Sequence, residues 1–312
     1  MEKCAWGRLA GCLLAALLLS SAAQATENSG SVYPVGAETV LQGMMPPPHE
    51  SGLYTFHLVY AANELDDSSG KSLPIDFKLR VFANAVKIEH NWGIPVLGGM
   101  LESMVAVPFV YEGLRVTTGP GTSEKFNKFG LSNCLLVPLG VMYNKGSWHG
   151  FIQGDFYTLG APYSKTAAIN IGQHHLAVGP TGAFTYLSNK AKWEASSKVD
   201  LIFNFTDGAT SYRSGDELTW EYTGMRAISK KAAIGVNGFL YKQLTDDQQS
   251  GTTVLGGNRG RDLAVGPEFR YFFGEHKAFA FKYTRDTLVQ NKPRGNSFWF
   301  QLGIPLNFGK HE

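Results

Sequence analysis

Twelve segments of strand length, joined by connections that are long and short in turn, leave this chain few folds to choose from. The segments begin at Leu53, Phe77, Gly99, Phe129, Trp148, His174, Trp193, Glu217, Ala232, Asp262, Lys277 and Asn296, and most run for ten to fifteen residues. A globular strand averages roughly 5–6 residues, whereas a tilted strand needs about 9–11 to cross a bilayer. The odd-numbered connections are Glu64–Asp76, Glu112–Lys128, Thr158–Gln173, Asp207–Asp216, Thr245–Arg261 and Leu288–Gly295, none shorter than 8 residues. The even-numbered ones, Trp92–Gly98, Tyr143–Ser147, Ser188–Lys192, Ser229–Lys231 and Gly274–His276, never exceed 7. A soluble sandwich has no reason to gather its long loops at one end. An outer-membrane barrel does, with short periplasmic turns, long outer loops, an even strand number and both termini in the periplasm.

The side-chain alternation says which face meets what. In Trp193–Thr206, Trp193, Val199, Leu201, Phe203 and Phe205 hold one phase, while Glu194, Lys198, Asp200 and Asn204 hold the other, with Ile202 as the apolar exception. Successive side chains on a strand point to opposite faces. A Lys or Arg turned to lipid near mid-membrane costs about 2–4 kcal/mol, which accounts for so strict a phase if the apolar side faces outward. Phe279, Phe281 and Tyr283 oppose Lys282 in the same way, and Phe298, Phe300 and Leu302 oppose Gln301. The expected fold is all-β: a twelve-stranded antiparallel transmembrane β-barrel of the bacterial outer membrane, spanning residues 53–312.

The first 25 residues read as a cleaved secretory signal. Lys3 and Arg8 precede the apolar run Leu9–Leu19, and Ala23-Gln24-Ala25 suits cleavage after Ala25. The run is too short to remain as a membrane helix. Its removal takes Cys4 and Cys12 and leaves Cys134 alone, so no internal disulfide is expected. It also leaves 26 basic and 25 acidic residues, a balance that gives no argument for a nucleic-acid partner.

With these phases the lumen is expected to carry Arg80, Glu102, Asp155, Glu194, Lys198, Asp200, Glu221, Glu268, Arg270 and Lys282. Eight strands leave an interior filled by side chains and 16–18 leave an open channel, so twelve predict a narrow bore. The mixed signs argue against a porin selective for anions or for cations. The charges are either a brace for the wall or the lining of a pore. Residues 26–52 precede the first strand as a periplasmic leader or a lumenal plug, whose plug candidates are Met44, Met45, Pro46, Pro47 and Pro48: stiff prolines beside adaptable apolar side chains. Five strands contain proline, at Pro108, Pro138, Pro180, Pro267 and Pro305, where bulges or kinks are expected because a ladder hydrogen bond is lost. Two of these end a shared "AVGP", at Ala177–Pro180 and Ala264–Pro267, a match too short to count as a repeat.

The last strand, "QLGIPLNF" from Gln301 to Phe308, resembles the C-terminal signal read by the bacterial barrel-assembly machinery. Four further stretches, "YPVGAETVLQGMMPPP" (Tyr33–Pro48), "FKLRVFANAVKIEHNWG" (Phe77–Gly93), "GNRGRDLAVGPEFRY" (Gly257–Tyr271) and "TRDTLVQNKPRGNSFWFQL" (Thr284–Leu302), resemble the family of the meta-pathway of phenol degradation, also called SphA-like. The resemblance implies an exported barrel in the outer membrane of a Gram-negative bacterium that admits small hydrophobic or aromatic compounds. Its partners would be outer-membrane lipid and lipopolysaccharide, the solute, and the assembly machinery.

No enzymatic chemistry is expected, and no cofactor. Lipid-hydrolysing barrels resemble one another in a His-x-Ser pair on a strand, and His49-Glu50-Ser51 lies in the leader, with no oriented third group beside it. His174 and His175 are adjacent and would face opposite ways, and Asp246-Asp247 lacks the spaced ligands of a calcium loop, so both pairs read as solvated or interfacial and no metal is expected. The alternatives to a solute channel are a structural or adhesive barrel with a closed lumen, a lipid-acting enzyme, and a soluble periplasmic β protein.

Overall fold

The computed structural model describes residues 30–119, 122–188 and 192–306. The expected signal segment, the cleavage expected after Ala25 and the chain from Asn307 onward lie outside these. Twelve antiparallel strands close on themselves: β1 (Ser51–Leu65), β2 (Asp76–Val96), β3 (Gly99–Gly119), β4 in two pieces (Thr122–Leu131 and Leu135–Lys145), β5 (Trp148–Tyr157), β6 (Ala177–Ser188), β7 (Trp193–Asn204), β8 (Glu217–Ala227), β9 (Ala232–Gln243), β10 (Arg261–Gly274), β11 (Lys277–Gln290) and β12 (Pro293–Leu306). Every strand pairs with its chain neighbours, and β1 pairs with β12 from Ser51↔Leu306 to Leu65↔Pro293, which closes the barrel wall and leaves Thr122–Leu131, paired as a strand only with β3, as an edge beyond it. All the long connections lie at the end opposite the β1–β12 terminal pair.

Strand starts fall within three residues of the sequence reading except in β4, which begins at Thr122 rather than Phe129. There β3 and β4 run on together past the end of β5, paired from Phe109↔Leu131 to Gly119↔Thr122. β4 then breaks at Ser132–Cys134 before pairing with β5 from Leu135↔Tyr157. Prolines mark several irregularities. Pairing between β4 and β5 shifts register between Leu136 and Gly140, around Pro138. The two Gly-Pro pairs each interrupt one ladder: β6 skips Gly179-Pro180 against β7, and β10 skips Gly266-Pro267 against β11. A Cβ on Gly179 would lie 1.6 Å from the Leu201 carbonyl oxygen, and one on Gly266 2.0 Å from that of Tyr283, so only glycine permits the close strand approach beside each proline.

β7 shows the face assignment cleanly. Glu194, Ser196, Lys198, Asp200, Ile202 and Asn204 are buried, and Trp193, Val199 and Phe203 are exposed. Phe82, Val86, Ile88, Phe109, Ile152, Phe156, Val236, Phe281 and Phe298 continue the exposed apolar surface around the wall. Trp92, Trp148 and Trp193 stand on it near the short-turn end, whereas Trp299 is buried inside, under Lys282.

One lumenal expectation is corrected. Arg80 is on the outer face of β2, in phase with Phe82, Val86 and Ile88, where its guanidinium donates to the Ala62 and Leu79 carbonyls and to Asn63 Oδ1. The inner phase at this end holds Phe77 and Leu79, which pack with Ala62, Ile75, Leu114 and Val116 in an apolar cluster. An apolar patch inside the mouth therefore reverses the apparent phase of the first turn of β2.

Asp247 and His175, expected to be solvated or interfacial, are instead buried where the outer loops tie together. Asp247 is fully buried and accepts from Gly215 N, Gln243 Nε2, Tyr212 O–H and Asn258 Nδ2, beneath a small sheet made of Tyr212–Arg213, Gln248–Gln249 and Thr252–Thr253. His174 stacks on Tyr163 at 3.8 Å and meets Asp207 at 3.0 Å. His175 is buried, and its Nε2–H donates to Asn204 Oδ1 at 3.1 Å, since the Asn204 amide nitrogen already serves Gly215 O and Glu217. Burial pushes the His175 pKa below its ordinary value, more than Asn204 and Asp207 raise it. The sign follows: the packed loop keeps its full stability above about pH 6.5 and loses it as the pH falls through that value toward the buried one. Backbone amides of 169–175, with exchange rates divided by the intrinsic rate at each pH, are accordingly expected to show lower protection factors at pH 5 than at pH 7.5, and a His175→Gln variant should flatten the difference. Equal protection of the parent protein at both pH values would contradict it.

Candidate functional site

The interior is occupied by the chain that precedes β1. Residues 30–50 have little regular structure, in keeping with a stretch rich in Gly and Pro, and they cross the bore by trading backbone and side-chain groups with the wall. Tyr33 O–H and Gly36 N both donate to the Glu221 carboxylate of β8. Lys282 of β11 donates to the carbonyls of Gly36 and Ala37, each at 2.8 Å, and Gln301 of β12 donates to Ala37 as well. Gly43 N donates to Thr185 Oγ1 at 2.9 Å, and Asn91 Nδ2 to the Pro46 carbonyl at 2.9 Å. Val32 and Tyr33 add an apolar contact, packed against Met104, Val137, Tyr157 and Ile202.

Glu38 is the centre of the arrangement. Its two carboxylate oxygens reach Lys87 of β2 at 2.6 Å and Lys198 of β7 at 2.9 Å, joining wall strands on different sides of the bore through one side chain of the crossing segment. Lys198, 1% exposed, also meets Asp200 at 2.9 Å and lies 4.0 Å from the Tyr33 ring. Asp200 accepts in turn from Thr219, and the Thr181 hydroxyl lies between Asp200 at 2.9 Å and Asp155 at 2.7 Å, with one hydrogen for the two carboxyl groups. Arg270 forms a two-pronged pair with Glu194, and Thr223 donates to Glu268. Charges buried at this depth hold only when paired and hydrogen-bonded, and the segment supplies part of that pairing.

Of the residues singled out from sequence, Glu102, Asp155, Glu194, Lys198, Asp200, Glu221, Glu268, Arg270 and Lys282 are all buried inside the barrel. Lys198, Asp200, Glu221 and Lys282 form one cluster around residues 33–38. Glu102 stands apart: both its oxygens lack a hydrogen-bond partner among the described residues. Sequence reasoning missed Glu38, Lys87 and Glu89. Lys87 and Glu89 alternate with the exposed Val86 and Ile88, so the phase of the second half of β2 carried the signal.

Met44, Met45, Pro46 and Pro47 line a cavity of about 190 Å³ at the short-turn end, with Tyr54 and Phe56 of β1 opposite them; Pro48 is exposed beyond it. An apolar cavity of roughly 150 Å³ is enough to take up benzene in other proteins. His49 and Ser51, the only His-x-Ser pair, have different partners: His49 N donates to the Asn91 carbonyl, and Ser51 Oγ is bonded to His90. No group of three or more His, Cys, Asp or Glu side chains among the described residues is arranged to hold a metal ion.

A closed antiparallel barrel, apolar outside, polar inside and long-looped at one end, has the architecture of an outer-membrane β-barrel. Residues 62–302 match the family described as "Putative MetA-pathway of phenol degradation", and the chain belongs to that family. No curated protein sequence matches it. Among solved structures, the COG4313 outer membrane channel from Pseudomonas putida F1 superposes with a TM-score of 0.70 at 15% identity, covering 85% of this chain and 98% of that one. The transport unit of the autotransporter AIDA-I from Escherichia coli gives 0.47 at 6% identity, covering 85% and 93%. A Pseudomonas aeruginosa FadL homologue gives 0.38 at 6% identity, covering 91% and 98%. The first likeness is one of fold, and the other two add nothing to it.

Proposed function

We propose that this barrel admits small hydrophobic, and in particular aromatic, compounds through the outer membrane, with residues 33–48 as its plug. The observation that carries the reading is the cavity left between the plug and β1, where Met44, Met45, Pro46, Pro47, Tyr54 and Phe56 form an apolar side and Glu38, Lys87 and Glu89 a charged one. Met44 and Met45 are flexible and polarizable, and sulfur sits favourably at an aromatic ring edge, so a planar apolar solute finds good contacts there. The apolar cluster of Phe77, Leu79, Leu114 and Val116 inside the outer mouth gives such a solute a first landing site. Membership of the phenol-degradation family supports the aromatic class, and the likeness to the Pseudomonas putida outer membrane channel supports a channel.

Met45→Trp tests the route. The larger ring fills the cavity while the wall is untouched, so initial uptake of a labelled alkylbenzene by intact cells should fall several-fold with barrel abundance unchanged. Uptake equal to that of the parent protein would remove this cavity from the path. A closed structural barrel is the second reading, favoured by the number of bonds that hold residues 33–43 in the lumen. It predicts no solute-dependent uptake from either protein.

A further inference from the structure

The outer face of β2, β3 and β4 carries a row of like charges that strand pairing alone would disfavour. Lys78, Arg115 and Lys125 stand directly opposite one another on three adjacent strands, and side chains in such a row lie close enough to repel. Two residues nearer the membrane, on the same face, the row is Arg80, Gly113 and Asn127. Two further on it is Phe82, Tyr111 and Phe129, all exposed, with Phe109 stacked beside Phe129. Gly113 leaves the centre open, since a Cβ there would meet only the Tyr111 ring and the Arg80 backbone, at 3.7–4.0 Å. Asp76 is the acidic side chain paired in this group, 3.0 Å from Arg115 and 4.0 Å from Lys78, and it is half exposed. Lys125 has no ion-pair partner among the described residues.

We propose that this notch binds the phosphate groups of an outer-leaflet glycolipid, with the acyl chains lying over Phe82, Tyr111, Phe109 and Phe129. The occupant follows from position and charge. The notch lies at the long-loop end of the barrel, the end that faces outward in outer-membrane barrels. Aromatic rings directly below a basic cluster match a molecule that is anionic at its head and apolar beneath it. Arginine with lysine around a gap free of side chains suits a phosphate, with Arg as the planar two-pronged donor and Lys as the point charge. The site is on the outer wall and does not depend on the uptake route through the lumen.

Native mass spectrometry of the detergent-purified full chain tests it, with bisphosphorylated lipid A, dephosphorylated lipid A and inorganic phosphate as probes. The parent protein should retain the bisphosphorylated lipid. A Lys78→Gln/Arg115→Gln/Lys125→Gln variant should retain it at least tenfold less, and a comparison variant Arg259→Gln/Arg261→Gln should behave like the parent. Heat-modifiable gel mobility reports that each barrel is folded. Should the triple variant fail to fold, Lys125→Gln alone, which removes no ion pair seen in the structure, should show a smaller loss in the same direction. Equal retention by the folded parent and triple variants, or by the parent and Lys125→Gln, overturns the proposal. So does equal binding of both forms of lipid A, or inorganic phosphate binding as tightly as the lipid.

Discussion

Deleting residues 33–48 is expected to turn a barrel with little ion conductance into one with a stable open pore. The physical basis is the size of the bore. A twelve-stranded wall is wider than one its own side chains can fill, and here the remaining space is taken by the crossing segment. Without it, Glu221, Lys282 and Gln301 lose partners inside the barrel, and water takes their place. The wall itself keeps its closed ladder of strand pairs, so the variant should still run as a folded barrel. Single-channel recording in planar bilayers reads the result. Unchanged conductance from a folded deletion variant would mean that the segment does not seal the pore.

Lys198→Ala should loosen the same segment from the wall side. Lys198 is the cation shared by Glu38 and Asp200, with Tyr33 stacked against it. Removing one partner of a buried pair leaves the other charge uncompensated, at about 3–5 kcal/mol. Part of that cost is avoidable if residues 33–38 leave the lumen and Glu38 reaches water. The variant is therefore expected to expose the segment to protease added from the periplasmic side, and to flicker between closed and open conductance levels. Glu38→Gln acts on the other member of the pair and should push the same way, with a smaller effect because Asp200 still compensates Lys198. A Lys198→Ala barrel as protease-resistant and as quiet as the parent would show that the ion pairs brace the wall and do not hold the plug.

The legibility of this protein differs strand by strand, for physical reasons. β7 is readable because its two faces meet opposite environments over its whole length, lipid on one side and a charged lumen on the other. β2 is not, because its inner face is apolar at the outer mouth and charged lower down. Phe77 and Leu79 mimic a lipid-facing phase there, and they sent Arg80 to the wrong side. The charge pair Lys87 and Glu89 was the safer guide, since ions are held to the lumen more strictly than apolar side chains are held to lipid. Glu38 lay beyond reach of periodicity, because residues 30–50 form no strand and its ion-pair partners Lys87 and Lys198 lie on distant strands. The same holds for Asp247 and His175, whose burial depends on how several loops fold over one another.

The central claim is that the barrel passes small aromatic or apolar solutes. It is tested most directly by initial uptake of a labelled alkylbenzene and phenol panel into intact cells with and without the protein, at low solute concentration. Intact cells matter because apolar aromatics cross a simple phospholipid bilayer unaided, so liposomes would hide the effect. The account predicts faster uptake of one solute class when the barrel is present, lost when it is absent. Equal uptake of every member of the panel in both strains would contradict it and leave the closed structural barrel as the better reading.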